Sequence, residues 1–541
     1  MISSLHQTGI ITSFRQMTRR SLPLLLSGAS LLFPLTAEPA SAQDSASPQV
    51  KVHEGMLEGR RLTDGTSVFL GVPFAAPPVG DLRWRPAQPA GVWTGIRPAT
   101  SYGAVCAQDP MALGGVFRKS SEDCLYLNLW APDLKPRKRL PVMLYIHGGA
   151  LIGGAGSIPT FNGEAYAKKG VILVTINYRL GAFGFMAHPE LTAESPHRAS
   201  GNYGISDQLA ALQWVKANIA AFGGDPSRVT IFGQSAGSVS VMTLMASPLS
   251  RGLFRGAIGE SATPLLAGRG ATLAEAESNG RAFAEKVGAA SLAELRHMPA
   301  EDLQKRWTAF AGLGGHRTIP VTDGWILPVS PTQVFADHRE MKIPLLTGSN
   351  AREALAVPAN QDLPARLSEA FGADAGKAAM LYPTDGPADP VLGTAGNMFA
   401  TDMTFRCPAV VIEQWHAQQG SPTYAYHFED SAPGQESLGS QHSAEVSHVF
   451  GSLRIMTGGR ALPEAQARLQ DIMVGYWTNF GKTGDPNGSG LPVWPRYTMK
   501  DQAYQRLARG TVESDRRLRG AACDLYLHSV VPKLLSGPGL L

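Results

Sequence analysis

The sequence is poor in charge. Lys, Arg, Asp and Glu make up 17% of its 541 residues, against roughly 25% in an average soluble domain. Neither sign dominates, since 48 basic and 44 acidic residues leave a net charge of +4. With no long basic run, that balance excludes nucleic acid as the main partner. Cysteine is scarce. Its four residues include no Cys-x-x-Cys spacing, which argues against a structural zinc site. No internal repeat is visible, and no apolar run reaches the ~20 residues that span a bilayer. Apolar residues are nevertheless 44% of the chain, too many for a disordered one. Glycine and proline are plentiful, at 59 and 39, and imply many sharp turns. What remains is a large globular protein. Length alone would allow roughly three or four domains, yet no linker is long or polar enough to divide the chain.

The N-terminus stands apart. Arg15, Arg19 and Arg20 precede an apolar stretch over residues 22–35, and Ala40-Ser41-Ala42 follows. This is the layout of a secretory signal with a small-residue cleavage site. Pro23 and Pro34 lie in the apolar stretch, which is too short to act as a membrane anchor. Residues 18–22 faintly resemble a twin-arginine export motif. The expectation is a signal peptide over 1–42, export to the periplasm or medium, and a single domain over 43–541. Export favours disulfides. Cys106, Cys124, Cys407 and Cys523 allow three pairings. Joining Cys106 to Cys124 would close a short loop, and joining Cys407 to Cys523 would tie back a C-terminal helix.

Short β-branched runs alternate with helical stretches. Residues 142–146, 171–176 and 229–232 read as strands buried on both faces. Residues 255–258, 344–346 and 424–428 are further strand candidates. Between the second and third runs, Leu209, Leu212, Val215, Ile219 and Phe222 share one helical face, with Ser206 as the expected N-cap and Gly223-Gly224 as the stop. This rhythm predicts an α/β fold on a mostly parallel sheet. Residues 265–340 and 359–400 read as helical excursions over it.

Gly233-Gln234-Ser235-Ala236-Gly237 is the one Gly-x-Ser-x-Gly in the chain. It follows a strand run and precedes a helix-compatible one, which is the context of a nucleophile elbow. The glycines remove side chains that would clash around a strained serine. His147-Gly148-Gly149-Ala150 also follows a strand. It lacks the Gly-Lys-Ser/Thr or Gly-x-Gly-x-x-Gly of a phosphate loop. Beside an elbow it reads as an oxyanion loop, with N–H donors from Gly149, Ala150 and Ala236. A serine nucleophile needs a base and an orienting acid, in the order Ser, acid, His. Thirteen histidines leave that choice open on spacing alone.

The chain after the signal resembles the type-B carboxylesterases, the cholinesterase-like branch of the α/β hydrolases. The resemblance rests on residues 69–75 (FLGVPFA), 77–80 (PPVG), 121–128 (SEDCLYLN), 177–181 (NYRLG) and 222–226 (FGGDP), with Gly201-Asn202, Asp207-Gln208, Trp477, Asn479, Phe480, Gly484 and Trp494-Pro495. It implies an α/β-hydrolase fold, a large mostly parallel central sheet flanked by helices, with helical excursions over the active site. It implies a serine esterase acting on a small-molecule carboxylic ester through an acyl-enzyme, with no metal or cofactor and no stable membrane insertion. It places the nucleophile at Ser235, the acid at Glu353 and the base at His442. Ser261 and Glu445 fall on positions that support the site from behind, and Arg83 and Glu122 on a structural ion pair. The cysteine pairs it implies are Cys106–Cys124 and Cys407–Cys523.

Several departures bear on the substrate. Ala150 stands where many members have a third glycine, which implies poor turnover of bulky tertiary-alcohol esters. Ala354 replaces a glycine after the acid. The loop from Cys106 to Cys124 holds no Trp, which argues against choline esters. Some family members cleave polycarboxylate side-chain esters of the fumonisin kind, an alternative substrate class here, and Arg352, Arg406 or His448 are candidates to meet an acidic acyl group. A lipase is less favoured, since no long apolar lid stands out. His442, Glu445 and His448 could form a metal cluster on spacing, but six residues turn a helix by about 600° and leave the two histidines on different faces. Non-catalytic binding members of the family lose the serine, whereas Ser235, Glu353 and His442 are all present. Acyl transfer to an acceptor other than water is a third possibility.

Overall fold

The computed structural model describes residues 47–110, 120–314, 318–353 and 362–537. The expected signal segment 1–42 and Ala354 lie outside the described residues. Residues 47–541 form one compact unit.

Eleven strands make the central sheet: β1 Arg60–Arg61, β2 Ser67–Pro73, β3 Tyr126–Ala131, β4 Leu140–Ile146, β5 Ile172–Ile176, β6 Gly224–Gln234, β7 Gly256–Glu260, β8 Leu345–Asn350, β9 Thr423–Phe428, β10 Ala503–Ala508 and β11 Thr511–Arg516. Their spatial order is 1-2-3-5-4-6-7-8-9-10-11. Pairing is parallel from β5 through β10 and antiparallel at both flanks. Strands β4 and β5 and the core of β6 are mostly apolar because both faces are covered. Their side chains alternate between two cores. Val142, Leu144, Ile146, Val229 and Ile231 enter one, with Leu212, Val215, Val241 and Leu244 from the helices Tyr203–Asn218 and Ala236–Ala246. Met143, Tyr145, Phe232 and Ile258 enter the other, under Met473, Trp477 and Phe480 of helix Glu464–Thr483. Helices at 273–287, 292–297 and 300–314, then 363–371, 375–381 and 395–401, form the two expected excursions.

Local boundaries differ from the sequence reading. The helix predicted to start after Ser206 starts at Tyr203 with Asn202 at its N-cap. Ser206 lies inside it, and its hydroxyl accepts from the Ala87 N–H at 3.0 Å, a tertiary contact that the local capping rule does not see. Strand β6 is longer than its apolar run because an irregularity between Gly224 and Val229 lets Gly224 pair as well.

Three covalent or ionic ties hold the periphery. Cys106 is bonded to Cys124 and Cys407 to Cys523. Arg83 grips Glu122 with Nε at 2.6 Å and Nη2 at 2.5 Å. Its Nη1 donates to the carbonyls of Leu295, Arg296 and Met298 at 3.1, 2.8 and 2.7 Å. One guanidinium thus fastens the first helical excursion to the N-terminal part of the fold. The second disulfide joins helix Cys407–Gln418 to helix Gly520–Ser529 across 116 residues. Closing so long a loop restricts the unfolded chain strongly, and replacing both cysteines by alanine is expected to cost about 2–4 kcal/mol. Urea unfolding without reductant reads this as a lower midpoint; an unchanged midpoint would count against it.

Candidate active site

The site forms at the carboxyl ends of the parallel strands, where open α/β sheets bind ligands. Ser235 follows β6 directly and caps helix Ala236–Ala246. Its backbone sits at φ 58°, ψ −124°, a region costing a non-glycine residue about 1–3 kcal/mol. The flanking glycines explain how this is tolerated. A Cβ on Gly237 would lie 2.1 Å from the Ile146 carbonyl oxygen, and one on Gly233 2.6 Å from the Gly237 backbone. Only glycine lets the turn fold so tightly onto the end of β4. The Ser235 N–H is held by the Glu260 carbonyl at 2.8 Å, which lifts the hydroxyl out of the sheet.

The loop after β8 and the segment around His442 bring the other two groups to this hydroxyl. His442 Nε2 lies 2.9 Å from Ser235 Oγ, and its Nδ1 lies 2.7 Å from Glu353 Oε2. Glu353 has no exposed side-chain surface, whereas 31% of the His442 side chain is exposed. The second Glu353 oxygen accepts from the Asn350 N–H at 2.7 Å. Phe405 packs against the imidazole, with ring centroids 4.8 Å apart. Burial pulls the imidazole pKa down, but the hydrogen bond and charge of Glu353, with a contribution from Glu445, outweigh it and leave it above the ordinary value.

Two more buried carboxyls stand behind these groups. Glu445 accepts from Ser261 Oγ at 3.1 Å and from the Asn350 side-chain amide at 2.5 Å. Its pKa is raised to about 7, first by burial and then by the charge of Glu353. Glu260 accepts from Trp477 Nε1 at 2.9 Å, and burial and the neighbouring Glu445 push its pKa up strongly. Asn350 therefore bridges two carboxyls, one through its backbone and one through its side chain. It is not singled out in the sequence analysis, although it stands three residues before Glu353.

The loop after β4 runs in left-handed backbone: Gly149, Ala150 and Leu151 have φ of 109°, 54° and 60°. Ala150 thus carries its methyl in a conformation that favours glycine. Among the described residues, the N–H groups of Gly149 and Ala150 donate to no protein acceptor. The Ala236 N–H opens a helix and has no intrahelical partner. A cavity of about 320 Å³ opens here, lined among others by His147, Gly149, Gln234, His442, Ser443 and Met456. None of its described lining residues is Lys, Arg, Asp or Glu. Gln234 presents its side-chain amide 3.4 Å from His442 Nε2.

Two of the three candidates for an acidic acyl group are corrected. Arg406 is fully buried, paired with Asp402, and donates to the Ala351 carbonyl at 2.6 Å. His448 is also fully buried, with Nε2 3.0 Å from Asp430 Oδ2. Asp402 is shared with Arg519 and Asp430 with Arg509, so both side chains belong to buried networks of the fold. Arg352 donates to the carbonyls of Asp389 and Pro390 at 3.4 and 3.0 Å. His442, Glu445 and His448 turn to different partners and do not converge on a common point.

Comparison with known proteins places this arrangement. The sequence model of the carboxylesterase family matches residues 46–385 and 387–526. A fumonisin B1 esterase of Sphingopyxis macrogoltabida is 36% identical over 488 residues, covering 86% of this chain and 88% of that protein. Carboxylesterase 1E of Mus musculus is 35% identical over 546 residues, covering 88% and 93%. Among solved structures, a PNB esterase superposes with a TM-score of 0.78 at 32% identity, covering 89% of this chain and 99% of that one. A carboxylesterase of Geobacillus stearothermophilus gives 0.77 at 33% identity, covering 88% and 99%. The chain belongs to the carboxylesterase family and is a carboxylic ester hydrolase of the α/β-hydrolase fold.

Proposed function

We propose that Ser235, His442 and Glu353 hydrolyse a small-molecule carboxylic ester in two steps through an acyl-enzyme. The observation that carries this reading is the unbroken hydrogen-bond chain from buried Glu353 through His442 to a serine hydroxyl on a strained elbow. His442 Nε2 takes the Ser235 proton as Oγ attacks the ester carbonyl carbon. The carbonyl electron pair moves to oxygen, where the N–H groups of Gly149, Ala150 and Ala236 receive it. The intermediate collapses, the C–O bond breaks, and His442 gives its proton to the leaving alcohol. Water then attacks the acyl-enzyme by the same route and restores Ser235. Glu353 keeps the Nδ1–H tautomer and stabilises the imidazolium. Ser261 and Glu445 support the acid and base from behind.

The cavity beside His442 supports simple neutral esters, because its described lining carries amides, hydroxyls and apolar groups without a fixed charge. The fumonisin B1 esterase relative supports a polycarboxylate ester as the second reading. With Arg406 and His448 engaged elsewhere, that reading rests on sequence similarity rather than on a cation in this cavity. Residues 43–541 are proposed to act as one catalytic unit after a signal peptide over 1–42 is removed. The two disulfides suit such an exported protein.

Four outcomes test this. Ser235→Ala is expected to lower p-nitrophenyl acetate turnover by about 10⁴-fold or more without changing thermal unfolding; a rate near that of the parent would sink the assignment. His442 must be neutral to accept the proton, so kcat/KM rises with pH through its pKa. That pKa stands above the ordinary 6.5, and so should the midpoint of the acidic limb. Glu353→Gln removes the hydrogen bond and charge that raise it, so the limb should move to lower pH while the rate falls by about 10²–10⁴-fold. A limb that moves upward contradicts the pairing. Finally, N-terminal sequencing of the exported enzyme should begin at Gln43; a retained leader contradicts cleavage after Ala42.

A further inference from the structure

The oxyanion loop begins at a histidine that the proposed reaction does not use. His147 is 1% exposed and lies at the end of β4. Its Nδ1 is 2.8 Å from the carbonyl oxygen of Gly148. A carbonyl only accepts, so Nδ1 carries the proton and donates. The ring lies flat on Tyr178, with centroids 4.4 Å apart at 21°, and Tyr178 Oη donates to the His147 carbonyl at 2.7 Å. Burial pushes the imidazole pKa down to about 4, so the ring stays neutral in the range where an esterase works. Both the ring plane and the tautomer are therefore held.

The consequence lies one bond away. Gly148 C=O and Gly149 N–H belong to the same peptide unit. Its planarity and trans geometry make the two point in opposite directions, and the described residues contain no cis peptide. Anchoring the carbonyl on the imidazole therefore fixes where the Gly149 N–H aims. The chain needs such an anchor, because glycine at φ 109° in a run of left-handed residues has a peptide plane that no side chain of its own restrains.

The far end of the loop is braced as well. Gln108 is 3% exposed. Its Nε2 donates to the Gly154 carbonyl and its Oε1 accepts from the Gly154 N–H, both at 2.9 Å. The same Nε2 donates to the Cys106 carbonyl at 3.0 Å. Gly154 in turn lies against the histidine: a Cβ there would fall 2.3 Å from His147 Nδ1 and 2.6 Å from the Gly148 oxygen. One carboxamide thus connects the disulfide-closed loop to the loop that carries the N–H donors.

We propose that His147 is the positioning residue of the oxyanion hole, its imidazole pinning the Gly148 carbonyl so that the Gly149 N–H faces the developing oxyanion, with Gln108 bracing the return of the loop. This rests on the reading of Ser235 as the nucleophile. A misaimed donor weakens the transition state and leaves ground-state binding of the ester nearly untouched.

The test compares His147→Leu, which has no donor, with His147→Asn, which is close to it in shape and keeps an N–H near the position of Nδ1. Both are made in the full-length, disulfide-bonded enzyme. With p-nitrophenyl butyrate, His147→Leu should lose about 10–100-fold in kcat with KM within about twofold of the parent, less than the ~10²–10³-fold for deleting a donor outright. Binding of a trifluoromethyl ketone, whose hemiketal oxyanion occupies the hole, should weaken by a similar factor. His147→Asn should recover most of both losses. Equal losses in the two variants, a change confined to KM, or an unchanged kcat in His147→Leu would each overturn the proposal. Should His147→Leu fail to give folded enzyme, Gln108→Glu decides. It keeps the acceptor and removes the donor, and a loss of about 3–10-fold in kcat at constant KM is expected, whereas an unchanged kcat overturns the proposal. Stoichiometric labelling of Ser235 by an organophosphate in the parent separates the two levels: no label at Ser235 would refute the nucleophile reading itself.

Discussion

Where β4 and β6 end, two backbones come closer than any side chain allows. A Cβ on Gly237 would stand 2.1 Å from the Ile146 carbonyl oxygen, so the helix carrying Ser235 at its N-cap is seated against the strand whose next residue is His147. That approach sets two distances at once. It holds Ser235 in its strained conformation, and it places the loop with the Gly149 and Ala150 N–H groups beside the serine. The proposed nucleophile and the proposed oxyanion donors are thus parts of one packed junction. Chemistry of this kind requires it, since donors help only where charge will develop. Cavities between loosely docked loops would not keep that spacing. The two glycines of the elbow matter for what they leave out.

Behind this junction lies an electrostatic problem. Glu260, Glu353 and Glu445 are all buried behind the proposed base, and three carboxylates together in a poorly hydrated interior would repel one another at large cost. The structure resolves it unevenly. Glu445 is raised to about 7 and Glu260 is pushed up strongly, so both tend to hold protons. A protonated Glu260 costs little beside the Trp477 indole, and Glu445 rests on donors from Ser261 and Asn350. Glu353 alone faces His442. The field at the imidazole is then set mainly by one carboxylate with a direct hydrogen bond, which suits a base that must accept a proton and return it.

Much of this was legible in the sequence, for definite reasons. Parallel strands buried on both faces are written as unbroken apolar runs, so β4, β5 and the core of β6 stand out. The elbow is legible because its steric demand admits only glycine at two positions. The antiparallel flank is not. β11 is an edge strand with Glu513, Asp515 and Arg516 turned to solvent, and its pairing with β10 depends on register rather than on composition. Ser206 misled for a related reason: a capping residue type was used instead for a tertiary hydrogen bond to Ala87. Gln108 carried no local signal at all, since its partner Gly154 lies 46 residues away. The proposed acid and base are legible only through family resemblance, since spacing among thirteen histidines does not select them.

Arg406 and His448 show why specificity is harder to read than chemistry. A basic residue near a candidate catalytic residue in sequence looks the same whether it serves a substrate or a buried carboxylate. Here Asp402, which also pairs with Arg519, holds Arg406, and Asp430, which also pairs with Arg509, holds His448. These side chains are therefore fixed by the fold and unavailable to a ligand. The cavity beside His442 is left with Gln234, Ser443 and Met456 among its lining, and without a fixed charge in its described wall. A neutral polar wall of that kind discriminates by shape and by hydrogen bonding, where an unmatched partner costs more than a missing methylene. On the proposed mechanism, the contour around Ala150 after β4 and the amide of Gln234 at the end of the neighbouring β6 are the features on which the choice of ester would turn.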